Sequence, residues 1–296
     1  MRVLHFTDVH LTVPFTEVTL AEWVGKRLLG GLNHRLRRAR YFADVPHKLA
    51  RLAEFVAEEG VELVLSTGDH TLLGTEAEYR AARRALAPLL GAPAGFVHVP
   101  GNHDLYLGDT LRERRFERYF GETLRSDCPE YQVDGPWPLV RLVGELVAVV
   151  AVNSARPNPE PWRSSGLVPP SQLAALGRVL GDSRVAERFV FLMTHFAPLR
   201  ADGRPDTRLH GLRNGGELLR ACARLQRGAL LCGHIHHCYR VEVPGLRIRL
   251  YNAGSTTCRG REGLWLFDVS ERGARATRGR YEGDRYVLDP DQSFAC

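Results

Sequence analysis

Val99-Pro100-Gly101-Asn102-His103-Asp104-Leu105 is the stretch whose reading decides the fold of this chain. The apolar residues before the break, Phe96, Val97 and Val99, read as a buried strand. The run stops at Pro100-Gly101, and an amide, an imidazole and a carboxylate follow in succession. Polar groups delivered where a strand ends in a glycine turn lie at the sheet edge at which open α/β sheets bind ligands. One such stretch is weak by itself. Four other strand ends in the chain carry similar groups, and that repetition makes it decisive.

Working outward, the first of these is the strand Val3 to Thr7, which ends in Asp8-Val9-His10. Side chains two apart on extended backbone share a face, so Asp8 and His10 can address one ion together. Val61 to Thr67 is a second strand, ending in Gly68-Asp69-His70, where the glycine permits a sharp turn and delivers Asp69 to the same edge. Phe189 to Thr194 ends in His195, and Ala229 to Cys232 ends in Gly233-His234-Ile235-His236-His237, placing His234 and His236 on one face. Between the strands the spacing predicts helices over Lys48 to Glu59, after Pro46, and over Glu76 to Leu90, Leu111 to Phe120 and Ser171 to Leu180. This alternation predicts a layered α/β fold with its site at strand C-terminal ends.

Other stretches carry less. Residues 11–45 form an insertion-like segment in which Val24, Leu28, Leu29, Leu32 and Leu36 recur at helical spacing, with basic residues between them. It reads as a solvated helical hairpin packing its leucines on the domain, against the alternative of a basic lid or a membrane-surface helix. Gly30-Gly31 interrupts the stripe and favours the first reading. Residues 155–170 are proline-rich and irregular, as suits a loop over a site. The strands Arg240–Val243, Leu246–Tyr251 and Gly263–Val269 alternate like a half-exposed antiparallel sheet. After Ser270 the chain is charged and glycine-rich without a period, and reads as a tail that wraps the surface or frays. His5 and His98, inside strands, read as core histidines, and His70 and His237 receive no role.

With 296 residues the chain can bury a full core. No apolar run approaches the ~20 residues of a membrane span, and Asp8 comes too early for a signal peptide, so a cytoplasmic location is expected. Six scattered cysteines without a CxxC pair read as free thiols. The net charge of +6 is concentrated in Lys26, Arg27, Arg35, Arg37, Arg38 and Arg40, with no acidic residue between Glu22 and Asp44. Walker A, GxGxxG, GxSxG and HExxH patterns are absent.

Asp8, His10, Asp69, Asn102, His103, Asp104, His195, His234 and His236 together offer carboxylates, imidazoles and an amide without a thiolate. That set suits two borderline-hard divalent ions such as Mn, Fe or Zn, which can hold a phosphate and activate a water between them. The same residues, as Asp8-x-His10, Gly68-Asp69, Gly101-Asn102-His103-Asp104, His195 and Gly233-His234-x-His236, resemble the calcineurin-like metallophosphoesterase family. The resemblance covers residues 1 to about 268, in order, and is nearest to the bacterial cyclic-nucleotide phosphodiesterase branch. It implies a four-layer α/β/β/α sandwich with two mixed sheets over 1–270, with 11–45 as a basic insertion and 271–296 as a tail. It implies that Asp8, His10 and His236 hold one metal, that Asn102, His195 and His234 hold a second, and that Asp69 bridges them. His103 then steadies the transition state or protonates the leaving oxygen, oriented by Asp104. The implied activity is hydrolysis of a phosphodiester or phosphomonoester by a metal-bridging hydroxide, with a cyclic nucleotide among the substrates to test. Two alternatives stand beside it: a nuclease or phospholipid-directed esterase using the basic segment on nucleic acid or membrane, and a non-catalytic scaffold on the same fold.

Overall fold

A computed structural model describes residues 1–296. Twelve strands form two six-stranded mixed sheets. The first contains β1 (Arg2–Phe6), β2 (Leu63–Ser66), β3 (Gly95–His98), β10 (Leu264–Ser270), β11 (Gly273–Glu282) and β12 (Arg285–Ala295). Their order is β12-β11-β10-β1-β2-β3, with β1, β2 and β3 parallel. The second contains β4 (Leu139–Val143), β5 (Val147–Ala151), β6 (Phe189–Phe196), β7 (Gly228–Gly233), β8 (Cys238–Glu242) and β9 (Arg249–Ala253), in the order β4-β5-β6-β7-β9-β8.

The sandwich follows from alternation along the central strands. Val147, Val149 and Ala151 of β5 and Phe189, Phe191 and Met193 of β6 share one core with the first sheet. Their neighbours Ala148, Val150, Val190 and Leu192 belong to a second core, under α7 (Pro170–Val179) and α9 (Gly215–Cys222). Phe191 meets Phe267 of β10 across the interface at 5.1 Å between ring centroids. On the outer face of the first sheet lie α2 (Val45–Glu58), α3 (Glu76–Ala85) and α4 (Ala87–Leu90), through Leu49, Leu52, Phe55, Tyr79 and Leu89. The layers are therefore α/β/β/α, as the sequence implied. All six cysteines are free, and no helix is long and apolar enough to cross a membrane.

Several sequence expectations need correction. The segment after Ser270 does not fray: β11 and β12 form a hairpin that extends the first sheet beyond β10. The three strands expected as one antiparallel sheet are divided, because β9 pairs in parallel with β7 while β10 joins β1 in the other sheet. The helix expected over Leu111 to Phe120 is two short ones, α5 (Gly108–Arg112) and α6 (Arg115–Phe120), broken where Arg114 adopts a φ of 49°.

The largest departure is in the insertion. Helix α1 (Gly25–Asn33) runs into one wide turn, His34–Arg38, and its leucines face solvent rather than the domain. The face against the protein is made by Arg27, fully buried, and by Gly31. The glycines are what permit this: a Cβ on Gly30 would collide with the Tyr106 hydroxyl, and one on Gly31 with the ring of Trp23. Arg27 donates to both carboxylate oxygens of Asp109, at 2.9 and 3.1 Å, and to the carbonyls of Leu73 and Glu22. Arg115 adds bonds to Glu22 and to the Gly74 carbonyl, so the insertion is tied to the loop that follows Asp69.

Arg27→Leu should therefore destabilise the chain by about 2–4 kcal/mol, since it strands buried acceptors and a carboxylate. The low end reflects Asp109 keeping Arg115 at 3.3 Å. An unchanged urea midpoint for this variant would show that the network holds nothing together.

Candidate metal centre

The parallel strands β1, β2, β3, β6 and β7 all point their C-terminal ends to one edge of the sandwich, and seven expected ligands collect there. Asp8, His10, Asp69, His234 and His236 have φ values between 50° and 71°, in the left-handed region. Only seven non-glycine residues in the chain do so, and five are these candidates. Such backbone costs on the order of 1–3 kcal/mol per residue and persists where surrounding structure enforces it. Here the enforcement is visible. Ser255, Thr256 and Thr257 donate their hydroxyls to the carbonyls of Asp8, Thr7 and Val9. Gly68 packs on the Pro100-Gly101 backbone too closely for any side chain.

The side chains form overlapping sets. Donor atoms of Asp8, His10 and His236 lie within 4.8 Å of one another, as do those of Asp69, His195 and His234, and those of His10, Asp69 and His103. Asn102 joins the second set: its Oδ1 is 3.0 Å from His195 Nε2 and 2.8 Å from His234 Nδ1. Asp69 stands between the sets, with Oδ2 at 3.4 Å from His195 Nε2 and 3.8 Å from His10 Nε2.

Two observations test whether metal fits. Asp8 Oδ1 and Asp69 Oδ2 are buried with only imidazole nitrogens near them, His236 Nε2 at 3.0 Å and His195 Nε2 at 3.4 Å, a concentration of buried negative charge that favours a cation. His10 Nε2 and His236 Nε2 also converge to 2.8 Å. The donor set is all nitrogen and oxygen, suited to borderline-hard divalent ions. Outer contacts fix the rings: His195 Nδ1 bonds the Thr67 carbonyl at 2.7 Å and His234 Nε2 the His210 carbonyl at 2.9 Å, leaving the other nitrogen of each turned inward. The residues present fit a metal pair.

Electrostatics agree with a cation-binding cluster. Burial disfavours the charged form of His195, yet Asp69 overcomes it and raises the imidazole to about 9. His236 is likewise raised to about 9, against burial, by Asp8. Burial opposes the Asp8 carboxylate too, but His236 and His10 hold it well below its ordinary value. Burial lowers His10, His103 and His234.

His103 and Asp104 behave differently from the expectation. Asp104 does not touch the His103 ring; it accepts from the backbone N–H groups of Gly101, Thr71 and His70 and lies 3.3 Å from His70 Nδ1. A buried carboxylate gathers the nearest donors, and here these are turn amides. Asp104 therefore staples the loop after β2 to the loop after β3. The His103 ring is held by the Leu72 carbonyl at 2.5 Å from Nδ1, and the His103 backbone N–H donates to Asp69 Oδ1 at 2.7 Å.

Among the remaining histidines, His70 is fully buried against His98, Phe116 and Phe120, while His237 is exposed. His5 and His98 are core residues bonded to the hydroxyls of Thr67 and Thr123.

A cleft of about 870 Å³ opens over the cluster. Its cationic lining is Lys26, Arg38, Arg163, Arg259 and Arg261, and Pro161 and Trp162 cover one side, as expected of the 155–170 loop. Phe42, from the insertion, packs edge-on to His10 at 5.3 Å. Only the density of charge in 11–45 pointed to Arg38 and Lys26; nothing in sequence marked Arg259 or Arg261.

The profile of the calcineurin-like phosphoesterase family matches residues 1–238. A relative in sequence is the 3′,5′-cyclic adenosine monophosphate phosphodiesterase CpdA of Pseudomonas aeruginosa, 32% identical over 221 residues, which are 73% of this chain and 68% of that protein. In structure the chain is similar to a dimetal phosphatase from Danio rerio, with a TM-score of 0.62 at 16% identity over 97% of this chain and 98% of the other. It is also similar to the purple acid phosphatase PPD1 of yellow lupin, with a TM-score of 0.63 at 8% identity over 99% of this chain and 53% of the other.

Proposed function

The chain belongs to the calcineurin-like phosphoesterase family, and from that premise we propose that it is a two-metal hydrolase acting on phosphodiesters. The observation that carries this is the convergence of two buried carboxylates, Asp8 and Asp69, with four inward imidazoles and one amide at a single edge of the sandwich. Asp8, His10 and His236 would hold one ion, Asn102, His195 and His234 the other, and Asp69 both. When bound, such a pair supplies polarisation of the phosphate oxygens and a water acidic enough to attack at neutral pH.

The chain's own residues do the rest. The five lysine and arginine side chains of the cleft draw in an anionic ester and offset its charge. Lys26 also donates to the carbonyls of Asn158 and Arg163, tying α1 to the 155–170 loop across the cleft. With Nδ1–H given to the Leu72 carbonyl, His103 has Nε2 free to meet the leaving oxygen, to which it donates only from the imidazolium form that burial disfavours. The likeness to CpdA makes 3′,5′-cyclic nucleotides the first natural diesters to offer. Mn, Fe and Zn all suit the donor set, and the choice among them belongs to metal analysis of the purified protein.

The test is hydrolysis of bis(p-nitrophenyl) phosphate beside the monoester, before and after loading with Mn²⁺. Turnover of the diester should appear on loading and vanish with a chelator. Protein that binds metal yet turns over neither ester would overturn the reading.

A further inference from the structure

We propose that the outward face of α1 and the turn following it is an interfacial anchor that seats the mouth of the cleft on an anionic lipid bilayer. The observation is an inverted amphipathic helix. Val24 precedes the helix in extended backbone, Leu28 and Leu32 stand one turn apart on it, and Leu36 follows in the wide turn. They are 54%, 42%, 43% and 78% exposed, while Arg27 on the opposite face is fully buried. A soluble surface helix normally does the reverse. The arrangement is held rigidly, since Arg27 is locked to Asp109 and Gly31 is seated on Trp23, which stacks on Phe15 at 4.5 Å.

Charge identifies the occupant. Arg35, Arg37 and Arg40 are exposed beside the leucine row, with no acidic residue between Glu22 and Asp44. A second copy of the chain paired about a twofold axis would set this cationic patch against itself. Nucleic acid would use the arginines but gives the leucines nothing to bury against. A bilayer bearing anionic lipid answers both, taking apolar side chains at the acyl boundary and basic ones among the headgroups. The placement is also directional. The flank of the same segment, through Leu29, Asn33 and Arg38, lines the cleft, and Trp162, 72% exposed, forms the facing lip.

This proposal does not depend on the phosphoesterase reading, and its test separates the two. The full chain, loaded with Mn²⁺, is floated with phosphatidylcholine vesicles and with vesicles containing phosphatidylglycerol. Flotation only with the anionic vesicles is expected. Leu28→Glu with Leu32→Glu, and separately Arg35→Glu with Arg37→Glu, should each weaken partition by about tenfold or more. None of these four residues lines the cleft, so hydrolysis of bis(p-nitrophenyl) phosphate in solution should be unchanged and vouch for folding. Wild-type protein that stays with the dense fraction, or variants that float as well as it does, would overturn the anchor. A concentration-dependent dimer in sedimentation velocity that Leu28→Glu dissolves, with no vesicle binding, would assign the face to a second copy instead. Protein that floats but hydrolyses nothing would remove the enzymatic reading and leave the anchor standing.

Discussion

Asp69→Asn should abolish metal retention and hydrolysis together while leaving the fold intact. Asp69 is common to two of the donor sets, with His10 and His103 on one side and His195 and His234 on the other. Its two oxygens have different work. Oδ1 accepts the His103 N–H at 2.7 Å, and an asparagine carbonyl in that place keeps the bond and therefore the turn. Oδ2 is the buried oxygen that faces the imidazoles, 3.4 Å from His195 Nε2 and 3.8 Å from His10 Nε2, and substitution there replaces a charged acceptor by an amide nitrogen that cannot ligate. Electrostatic stabilisation by bound metal is worth several kcal/mol in the transition state, so its loss should lower kcat/KM by on the order of 10³-fold or more. Elemental analysis and circular dichroism decide the matter. A variant with native ellipticity, no retained metal and no diesterase activity is the expected outcome. Wild-type metal content and rate in Asp69→Asn would remove Asp69 from the centre and with it the two-metal proposal.

The part of this centre that was legible in the sequence was the part written in strand ends. Asp8, Asp69, Asn102, His195 and His234 could be placed at one edge because each follows an apolar run, and such runs are unambiguous when both faces of a strand are buried. What was not legible depends on partners distant in sequence. The left-handed backbone at Asp8 and His10 is imposed by hydroxyls some 250 residues later, and neither residue type signals it. Asp104 was read with its neighbour in sequence, His103, but a carboxylate in a turn is claimed by the amides around it.

The misread tail is a matter of small residues. The inward positions of β11 are Ala274, Ala276 and Gly279, separated by Arg275, Arg278 and other polar side chains. Alternation carried by alanine and glycine gives almost no hydrophobic signal, and a register shift between Thr277 and Arg278 breaks its period. Pro290 in β12 is tolerated because that strand is the sheet edge. In α1 the apolar period was read correctly and the wrong face was assigned to the protein. Periodicity finds the stripe but cannot say what it covers. The rotation of the helix is fixed by partners distant in sequence: buried Arg27 on Asp109 and the Leu73 carbonyl, and Gly31 on Trp23.

His103→Ala separates two roles that the geometry permits for this ring. His103 lines the cleft, 4.6 Å from the His10 ring by centroid, and its Nδ1 is held by Leu72. It also shares a donor set with His10 and Asp69, so metal content must be measured first. Retained metal with lost rate is the expected result. A positioned acid contributes about 10²–10⁴-fold, and it contributes most where the leaving oxygen is a strong base. Loss of His103 should therefore be severe for alkyl and ribosyl diesters. It should be milder for p-nitrophenyl esters, whose leaving anion needs no proton near neutral pH. Equal losses across that series would mean that His103 stabilises charge on the transferring phosphoryl group and donates no proton. Metal lost from the variant would instead make it a ligand. The slope of rate against leaving-group basicity, compared between wild type and His103→Ala, distinguishes the first two directly: a shallow slope that steepens in the variant identifies the proton donor.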